Sequence, residues 1–439
     1  MKDEPEAVLD QDEATEPKQR GFDTLQVHAA QEVADPATGA RAVPIYLTSS
    51  FVFGSAREAT DRFAGSSPGY QYGRMHNPTV EAFAKRVEAL EGGEAAVALS
   101  SGQAATTATL LAIARPGANV VVSREVFGGT FSVARKILEP WGCSIKAVEP
   151  TAEAIAGAVD DETVGVWVES IANPSGTVAD IPAIAKATKR VKLPLIVDNT
   201  FGACGYLCRP LEQGANAVVH SATKWIGGHG TFIGGVVVDG GSFEWDEERF
   251  PAFHKVDGRG RSAVGSGARA ALAARVYDLG LFTMGMTLSA HDAFLGLQGL
   301  ETLSLRVAKE CASALELARW LRGVPGVERV VYPGLEDHPS HATARRVLRN
   351  GFGAVLCFET DTIERSRDFL DRVRLASHLA NIGDSKTVVI NPWTTTHSSM
   401  SEDARRSAGV TPGLIRVSVG VEDVEDLKAD FAQALRAAR

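Results

Sequence analysis

One lysine of the chain stands where it could capture an aldehyde. Lys224 follows the apolar run Ala217–His220, and the hydroxyl residues Ser221 and Thr223 stand just before it. A lysine amine forms Schiff bases with aldehydes, and hydroxyls this close to it can reach a phosphate. The glycine-rich stretch 227–230 leaves room for a bulky group. A surface lysine after a strand would explain the same residues, so this motif needs support from others.

An aspartate stands at the end of another apolar run, Leu195–Asp198. An acid at the tip of a buried strand is costly unless it meets a positive partner. A protonated pyridine nitrogen is such a partner, and the acid keeps the ring charged so that it can accept electrons. Helix capping by Asp198 is the structural alternative. Between Asp198 and Lys224 the chain is long enough for one crossover that brings both to the same sheet edge.

A third motif could hold a phosphate. The sequence Ser100-Ser101-Gly102-Gln103 follows a predicted strand and opens an alanine-rich helix. Free amides at a helix start attract anions, and the helix dipole adds to this attraction. Capping by serine would explain this motif alone. Together the three motifs supply an aldehyde-binding amine, a counter-ion for a pyridinium ring and a phosphate site.

A sheet has to bring these three motifs together. From residue 94 onward short apolar runs alternate with helical stretches, which predicts an α/β fold with a mostly parallel sheet covered on both faces. Such sheets bind ligands beyond the carboxyl ends of their strands. The predicted strands are Ala95–Leu99, Asn119–Ser123, Ser144–Val148, Val164–Glu169, Leu195–Asp198, Ala217–His220 and Gly235–Val238, and two predicted helices are Gly102–Ala114 and Ile181–Arg190.

Composition and periodicity divide the chain into four predicted parts. The segment 241–270 is irregular, and we expect it to be either an insertion or a flank of the active site. Apolar positions from Leu300 to Ala318, at steps of three and four, predict a long helix leading into an α+β domain. Strand-like runs in that domain are Val330–Tyr332, Gly353–Phe358 and Leu414–Val419. The parts are a disordered acidic tail (1–20), an N-terminal arm (21–75), a large cofactor-binding domain (76–290) and a small C-terminal domain (291–439).

Charge and composition exclude several classes of protein. The 439 residues carry a formal net charge of −9, which disfavours nucleic-acid binding. No apolar run approaches the roughly 18 residues of a membrane span. The chain has five cysteines, and Cys204 and Cys208 lack the second ligand pair that a zinc site needs. We therefore expect buried reduced thiols, no metal and a cytoplasmic protein.

Several ordered motifs resemble one enzyme family. They span residues 21 to about 437 and include YGRMHNPT at 72–79, ESIANPSG, IVDNTF, VVHSATKWIGGHG, QGLETLSLR, ANIGD and GLIRVSVGVED. On these motifs the chain resembles the Cys/Met metabolism enzymes that depend on pyridoxal 5′-phosphate (PLP). Within that family it is most similar to the O-acetylhomoserine sulfhydrylases, in its opening GFDTLQVHAA, in the insertion after residue 240 and in SHLANIGD.

The resemblance implies a type I PLP-dependent transferase fold and a role for each matching residue. Lys224 matches the Schiff-base lysine, Asp198 the partner of the pyridinium nitrogen, and Asn173 the residue near the ring oxygen. Phe127 stands where relatives stack a tyrosine on the ring. The residues that match the phosphate cradle are Gly102, Gln103, Ser221 and Thr223.

The resemblance also implies a shared active site and a substrate-binding set. Tyr72 and Arg74 match a pair that reaches the phosphate of a neighbouring subunit, so the unit is at least a dimer, and a dimer of dimers is typical. Arg416 matches the residue that binds the substrate α-carboxylate, since a guanidinium fork suits that job. Asn381, Thr395 and Tyr72 are further predicted substrate contacts.

Two departures from the family pattern bear on the reaction. Phe127 lacks the hydroxyl of the usual tyrosine, and Trp393 replaces a small residue and would fill space near the carboxylate site. The predicted reaction is γ-replacement on O-acetyl-L-homoserine by sulfide or a thiol. Another γ-substitution or γ-elimination, as in a methionine γ-lyase or a cystathionine γ-synthase, is the alternative. A catalytically idle PLP-binding homologue is the remote one.

Overall fold

The protein is described here by a computed structural model that covers residues 20–265, 269–398 and 400–436. The predicted disordered tail therefore lies outside the described residues, apart from Arg20. The described α-helices are α1 (Phe22–His28), α2 (Ala56–Ala64), α3 (Pro78–Glu91), α4 (Gly102–Ile113), α5 (Gly128–Val133), α6 (Ala152–Ala158), α7 (Ile181–Arg190), α8 (Pro251–His254), α9 (Ala271–Val276), α10 (Ala290–Glu301), α11 (Leu303–Leu321), α12 (His341–Val347), α13 (Ile363–Arg372), α14 (Glu402–Ser407) and α15 (Val424–Arg436).

A seven-stranded sheet, counted over the described residues, forms the centre of the large domain. Its order is β1-β7-β6-β5-β4-β2-β3, and only β7 runs antiparallel to its neighbours β1 and β6. The predicted α/β class and mostly parallel sheet are confirmed. The strands are β1 (Ala95–Leu99), β2 (Asn119–Ser123), β3 (Ser144–Val148), β4 (Thr163–Glu169), β5 (Leu195–Asp198), β6 (Ala217–Ser221) and β7 (Gly235–Asp239).

Helices bury both faces of this sheet. Successive residues of a strand point to opposite faces, so Val218 and Val219 of β6 lie in two different core clusters. Helix α3 adds Phe83 to the first cluster, and α4 adds Leu110 to the second. Because helices cover both faces, a ligand can reach the sheet at the carboxyl ends of its parallel strands.

Helix α3 has clear start and stop signals. Asn77 caps it by accepting a 3.0 Å hydrogen bond from the Thr79 amide, and Pro78 occupies its first turn, where no amide hydrogen is needed. It ends before Gly92, whose φ of 74° lies in the left-handed region that favours glycine. The helix thus places its last residue, Glu91, next to the ends of β5 and β6.

The small domain contains a second sheet, of five strands among the described residues, in the order β10-β11-β12-β9-β8. A third core cluster, which includes Phe358, Phe369 and Phe431, joins it to the helices behind it. The predicted α+β character is confirmed, and the predicted domain limits stay predictions. The two shortest strands were not predicted. The strands are β8 (Val327–Val331), β9 (Val355–Thr360), β10 (Ser377–His378), β11 (Val388–Ile390) and β12 (Leu414–Ser418).

The predicted long helix between Leu300 and Ala318 is interrupted. The structure has α10 and α11 instead, with Thr302 between them at φ −119° and ψ 12°. The buried guanidinium of Arg306 donates to the Gly299 carbonyl at 2.6 Å, and so takes an acceptor that a continuous helix would use. The apolar periodicity continues across the break, which is why the sequence did not reveal it.

The N-terminal arm combines docked and exposed segments. Helix α1 is fixed to α11 by Gln26, whose side chain exchanges two hydrogen bonds with Ser304 at 2.9 and 3.1 Å. Farther along, Leu47 and Val52 are 74% and 93% exposed. Exposed apolar side chains of this kind suit a contact with another chain. The predicted contact of the arm with a neighbouring subunit stays a prediction.

The irregular segment at 241–270 packs into the large domain where the structure describes it. Trp245 and Phe253 stack with ring centroids 4.0 Å apart, and Phe250 meets Trp245 edge-on. These rings belong to the core on the α4 face. The described part of the segment adds to this core and does not line the candidate site below. Its interpretation as an insertion or an active-site flank stays a prediction.

All five cysteines are buried and free, as the sequence predicts for structural thiols. Burial raises the pKa of Cys311 and Cys357 to about 12, which keeps both thiols protonated and unreactive. Among the described helices none is long and apolar enough to cross a membrane.

Candidate active site

A cavity of about 430 Å³ opens at the carboxyl ends of β4, β5 and β6. This is where ligands bind in sheets of this kind. The small domain closes one side of the cavity with residues 380–382, Thr396 and Arg416. The structure brings together most of the predicted site residues here: Gly102, Gln103, Phe127, Asn173, Asp198, Ser221, Thr223, Lys224, Asn381 and Arg416 all line the cavity.

The Lys224 amine points across the cavity to the small domain. Its Nζ donates to Oδ1 of Asn381 at 2.7 Å. Burial, and after it the positive charge of Arg416, lowers the pKa of Lys224 from 10.5 to about 8. A sizeable neutral fraction is therefore present near neutral pH, and the neutral amine is the form that attacks aldehydes and accepts protons.

Two carboxylates lie side by side at the floor of the cavity. Glu169 ends β4 directly opposite Asp198 in the parallel register, and Asp198 accepts a 3.0 Å hydrogen bond from the Thr200 amide. Burial raises the pKa of Asp198, and burial together with the Asp198 charge raises that of Glu169 well above its usual value. A cation placed beside this pair would favour ionisation of Asp198. Sequence reasoning missed Glu169, although the rule that found Asp198 applies equally to it.

The start of α4 forms an anion cradle with the end of β6. The Ser101 hydroxyl caps the helix by accepting from the Ala104 amide at 3.0 Å, while the amides of Gly102 and Gln103 have no acceptor within the helix. A Cβ on Gly102 would lie 2.6 Å from the Ser221 Cβ and 2.9 Å from its Oγ. Glycine is therefore required for the helix to approach Ser221 this closely, and the free amides at the helix start and the Ser221 hydroxyl belong to the lining of the same cavity.

Phe127 presents a flat apolar face to the cavity. It is the N-cap residue of α5, without a side-chain capping bond, and it is 53% exposed. The Gln103 side chain donates to the Gly129 carbonyl at 2.7 Å and so fixes the turn that carries the ring. An exposed aromatic ring held by its backbone is suited to stacking on a planar ligand.

Arg416 brings a buried positive charge to the cavity. It is only 5% exposed, and it donates to Oδ1 of Asn173 at 3.3 Å and to the Asn381 carbonyl at 3.0 Å. No carboxylate among the described residues forms an ion pair with it. Burial lowers its pKa, but a guanidinium stays charged near neutral pH. A buried cation with only neutral partners is a binding site for an anion.

The segment 391–398 differs from its prediction. Thr395 does not line the cavity, because its hydroxyl donates to the Asn391 carbonyl at 2.6 Å. Thr396 lines the cavity instead. Trp393 does not fill the carboxylate site either, since its ring lies under the guanidinium of Arg405, 4.0 Å from centroid to Cζ. The irregular turn rotates these side chains in a way that residue types alone do not reveal.

Tyr72 and Arg74 lie outside this cavity. They line a separate cleft of about 500 Å³ beside Thr48 and Thr287. The Arg74 guanidinium donates to the carbonyls of Leu281 and Phe282, and it lies 5.7 Å from the centre of the Tyr72 ring. Their predicted reach to a neighbouring subunit stays a prediction.

The groups in the cavity fit pyridoxal phosphate. The lysine amine suits its aldehyde, the acid pair its ring nitrogen and the half-exposed phenylalanine its planar ring. The Gly102 cradle, which a Cβ would fill, suits its phosphate. Each part of the cofactor is matched by different residues, and all of these residues line one cavity.

Comparison with known proteins identifies the family. The family of Cys/Met metabolism PLP-dependent enzymes matches residues 23–436. Homocysteine synthase of Schizosaccharomyces pombe is 45% identical over 425 residues, which cover 95% of this chain and 98% of the relative. O-acetyl-L-homoserine sulfhydrylase 1 of Thermus thermophilus is 42% identical over 419 residues, 94% of this chain and 99% of the relative.

A solved structure agrees with this result. A Campylobacter jejuni protein, assigned as an O-acetylhomoserine (thiol)-lyase and carrying a pyridoxyl-phosphate-modified lysine, superimposes with a TM-score of 0.91. It is 31% identical in sequence, and the match covers 95% of this chain and all of that one. With nearly the whole length matched in sequence and in structure, this chain belongs to the Cys/Met metabolism PLP-dependent enzymes.

Proposed function

We propose that the protein catalyses γ-replacement on O-acetyl-L-homoserine by sulfide. The bond between Cγ and the acetate oxygen breaks, a bond from Cγ to sulfur forms, and homocysteine and acetate leave. The observation that carries the proposal is the buried Arg416 guanidinium, which lines the same cavity as Lys224 and has only neutral partners. It suits the α-carboxylate of an amino acid. The names of the relatives from Schizosaccharomyces pombe and Thermus thermophilus support the acetylated substrate and sulfide.

Lys224 is the proposed base. When bound, pyridoxal phosphate withdraws electrons from the substrate and so acidifies the proton on Cα. The Lys224 amine would hold the cofactor in the resting enzyme, and in its free, neutral form it would accept the Cα proton and later return it. Its pKa of about 8 suits both directions of transfer near neutral pH. Asn381 accepts a hydrogen bond from the amine and so directs it across the cavity.

The other residues orient the reactants. Arg416 binds the α-carboxylate and, through Asn173 and Asn381, is fixed relative to Lys224. Asp198 would keep a proton on the ring nitrogen when ionised, and the Thr200 amide, which donates to Asp198, would stabilise that charge. We assign the phosphate to the amides of Gly102 and Gln103 and to the hydroxyls of Ser221 and Thr223.

A direct assay tests the proposed function. Purified protein with PLP is incubated with O-acetyl-L-homoserine and sulfide, and homocysteine and acetate are measured. We expect equal amounts of both products and no 2-oxobutyrate, which would report γ-elimination. Parallel reactions contain methionine, cystathionine or O-succinylhomoserine. Turnover of one of these substrates in place of the acetyl ester would overturn the assignment, and no turnover of any would favour an idle homologue.

Phe127 favours an ester substrate over a thioether. The phenyl ring has no hydroxyl to donate a proton to a leaving group, and acetate needs little protonation whereas a thiolate needs more. We expect Phe127→Tyr to raise γ-elimination from methionine, by about tenfold or more if the hydroxyl acts as a general acid. The rate with O-acetylhomoserine should change less than that with methionine. Release of 2-oxobutyrate measures the effect.

A matched variant separates the hydroxyl from the ring. Phe127→Leu removes the ring without adding a donor, and we expect it to weaken PLP binding without raising elimination. If Phe127→Tyr leaves elimination from methionine unchanged, the missing hydroxyl does not set the reaction type. The side chain then serves only to stack on the ring.

The quaternary structure and location are part of the proposal. We propose a cytoplasmic homo-oligomer, a dimer of dimers, in which Tyr72 and Arg74 reach the phosphate site of a neighbouring subunit. The exposed apolar side chains of the arm and the cleft around Tyr72 support such a contact. Analytical ultracentrifugation distinguishes monomer, dimer and tetramer, and a monomer with full activity would contradict shared active sites.

A further inference from the structure

A buried arginine and a buried glutamate of α11 hold the turn that follows Lys224. We propose that Arg306 and Glu310 are positioning residues, which fix Lys224 so that its amine meets the aldehyde of the cofactor. The inference rests on the proposed role of Lys224 and on no particular amino-acid substrate. Neither Arg306 nor Glu310 lines the cavity, so each acts through the turn at 225–228.

Trp225, the residue directly after Lys224, is bound by both side chains. The Arg306 guanidinium donates from Nη2 to the Trp225 carbonyl at 3.0 Å. The Trp225 indole N–H donates to Oε2 of Glu310 at 2.9 Å. All three residues are buried. These two contacts form a clamp on Trp225, which cannot change its conformation without breaking a buried hydrogen bond.

The turn passes this constraint on to Lys224. The Gly228 amide donates to the Lys224 carbonyl at 2.7 Å and so closes the turn on that residue. Gly228 has a φ of 69°, and a Cβ on it would lie 2.0 Å from Nη1 of Arg306, so glycine is required for the guanidinium to pack against the turn. The backbone of Lys224 is therefore tied to the residues that Arg306 contacts.

One segment of the small domain meets both the turn and the Lys224 amine. The Gly228 carbonyl accepts from the amide of Ser385 at 2.8 Å and from its hydroxyl at 2.5 Å. In the same segment, Oδ1 of Asn381 accepts from the amine at 2.7 Å. A shift of the turn would thus move the amine relative to Asn381 and to the cavity.

Helix α11 is a firm support for the clamp because it belongs to two cores. Val307, in its first half, packs in the first core cluster with the strands of the large domain. Leu317, in its second half, packs in the third cluster with the small domain. Arg306 and Glu310 stand one turn apart on this helix, so they fix the turn relative to both domains.

The hydrogen bonding of the two side chains favours positioning over stability. Arg306 binds only carbonyl and hydroxyl oxygens, and within the described parts of the chain its Nη1 and Oε1 of Glu310 have no hydrogen-bond partner. Buried charged groups with incomplete hydrogen bonding are often less stable than apolar side chains of similar volume. A helix that only had to pack here would be served better by apolar residues.

The phosphate cradle is held by other contacts. The Ser221 amide donates to the Thr200 hydroxyl at 2.9 Å, and the Thr223 hydroxyl accepts from the Gly234 amide at 3.1 Å. Neither of these hydrogen bonds involves α11. Loss of the clamp should therefore displace Lys224 and leave the phosphate site in place.

Two ligands separate the position of Lys224 from the shape of the cavity. PLP carries the aldehyde, whereas pyridoxine 5′-phosphate has an alcohol in its place and cannot bond covalently to the amine. The dissociation constant of each is measured with the apoenzyme by calorimetry. We expect Arg306→Met to weaken PLP binding by about tenfold or more, as the loss of a hydrogen bond from a charged group would. Its affinity for pyridoxine 5′-phosphate should equal that of the wild type.

The same variant should lower kcat far more than it changes KM. Misplacing a reacting group by about 1 Å can cost on the order of 10²-fold, and Lys224 is the proposed base. Arg416, the proposed carboxylate site, keeps its partners Asn173 and Asn381, so KM should change little. Homocysteine release at saturating PLP gives both constants.

Conservative variants and a control show whether the hydrogen bonds themselves matter. Arg306→Lys keeps a donor for one carbonyl, and Glu310→Gln keeps an acceptor for the Trp225 indole. Both should bind PLP more tightly than Arg306→Met and Glu310→Leu do. Arg346→Met removes an exposed guanidinium that joins α12 to Asp180, away from the turn, and it should match the wild type with both ligands.

Trp225→Phe provides the test if Arg306→Met does not fold. It removes the indole N–H and keeps a ring beside Phe201, whose centroid lies 5.1 Å from that of Trp225. PLP binding should fall and pyridoxine 5′-phosphate binding should not. Adding Glu310→Leu should weaken PLP binding no further, because both changes remove the same hydrogen bond.

The outcomes distinguish this inference from the proposed function. Equal losses of affinity for both ligands, or a lower melting temperature alone, would mean that Arg306 and Glu310 only stabilise the fold, and the inference would be wrong. The ligand comparison uses no amino acid, so it decides their role whichever substrate the enzyme takes. A wild-type enzyme that binds PLP but does not turn over O-acetylhomoserine would overturn the proposed function alone.

Discussion

Lys224→Ala is expected to abolish turnover and the visible absorbance of bound PLP. The variant loses both the covalent hold on the aldehyde and the base that moves the Cα proton. The lost proton transfer alone is worth on the order of 10²–10⁴-fold in kcat. The two losses are measured separately. The protein is loaded with PLP and dialysed into cofactor-free buffer before its absorbance is read, and homocysteine release is followed with O-acetylhomoserine and sulfide.

The same variant should fold at least as well as the wild type. The pKa of Lys224 is lowered to about 8 in the folded protein from 10.5 in the unfolded chain. Folding then releases protons between these two values, so stability rises with pH through that range, and below about pH 8 the buried ammonium is a net cost. Removing the amine removes this cost. The melting temperature of the apoenzyme at pH 7 should therefore be unchanged or higher.

Lys189→Ala is the matched control for the lysine variant. Lys189 is exposed in the last turn of α7 and does not line the cavity, so its removal deletes one positive charge outside the site. The control should retain PLP absorbance and turnover. Visible absorbance that Lys224→Ala keeps after dialysis into cofactor-free buffer, and that borohydride converts into a covalent pyridoxyl adduct on the chain, would show that another amine holds the cofactor, and the assignment of Lys224 would be wrong.

The chemical core of the site could be predicted because it follows strands. Asp198 ends β5 and Lys224 follows β6, and a parallel sheet brings such residues to one edge whatever the details of the helices. The phosphate cradle was predictable for a similar reason, since a helix that begins directly after β1 has free amides. The same rule would have found Glu169 at the end of β4, had it been applied to every strand.

The remaining features depend on individual hydrogen bonds that residue types and periodicity do not reveal. Thr395 and Thr396 are neighbours of the same type, and only the hydrogen bond from Thr395 to Asn391 shows which of them faces the cavity. Glu91 lies more than a hundred residues from His220, so nothing local pairs them. The break at Thr302 likewise results from a guanidinium that binds a carbonyl, which leaves the apolar pattern intact.

Arg416→Ala is expected to lower kcat/KM for O-acetylhomoserine on the order of 10²–10³-fold, since removing one partner of a buried charge pair costs about 2–5 kcal/mol. Most of the loss should be in KM, because the carboxylate is bound before and during the reaction. Arg416→Lys should be intermediate, as an ammonium keeps the charge but loses the bidentate fork. Arg406→Ala, which removes an exposed guanidinium beside Glu402, should match the wild type.

A substrate analogue shows whether Arg416 acts on the carboxylate itself. 3-Aminopropyl acetate has the amine and the ester of the substrate but no carboxylate, so it cannot use the guanidinium. Its dissociation constant, measured from the change in cofactor absorbance, should be similar for the wild type and Arg416→Ala, whereas that of O-acetylhomoserine should differ strongly. This comparison is a double-mutant cycle between the side chain and one group of the substrate. An equal loss for both ligands would mean that Arg416 only maintains the shape of the cavity, and the amino-acid site would have to be placed elsewhere.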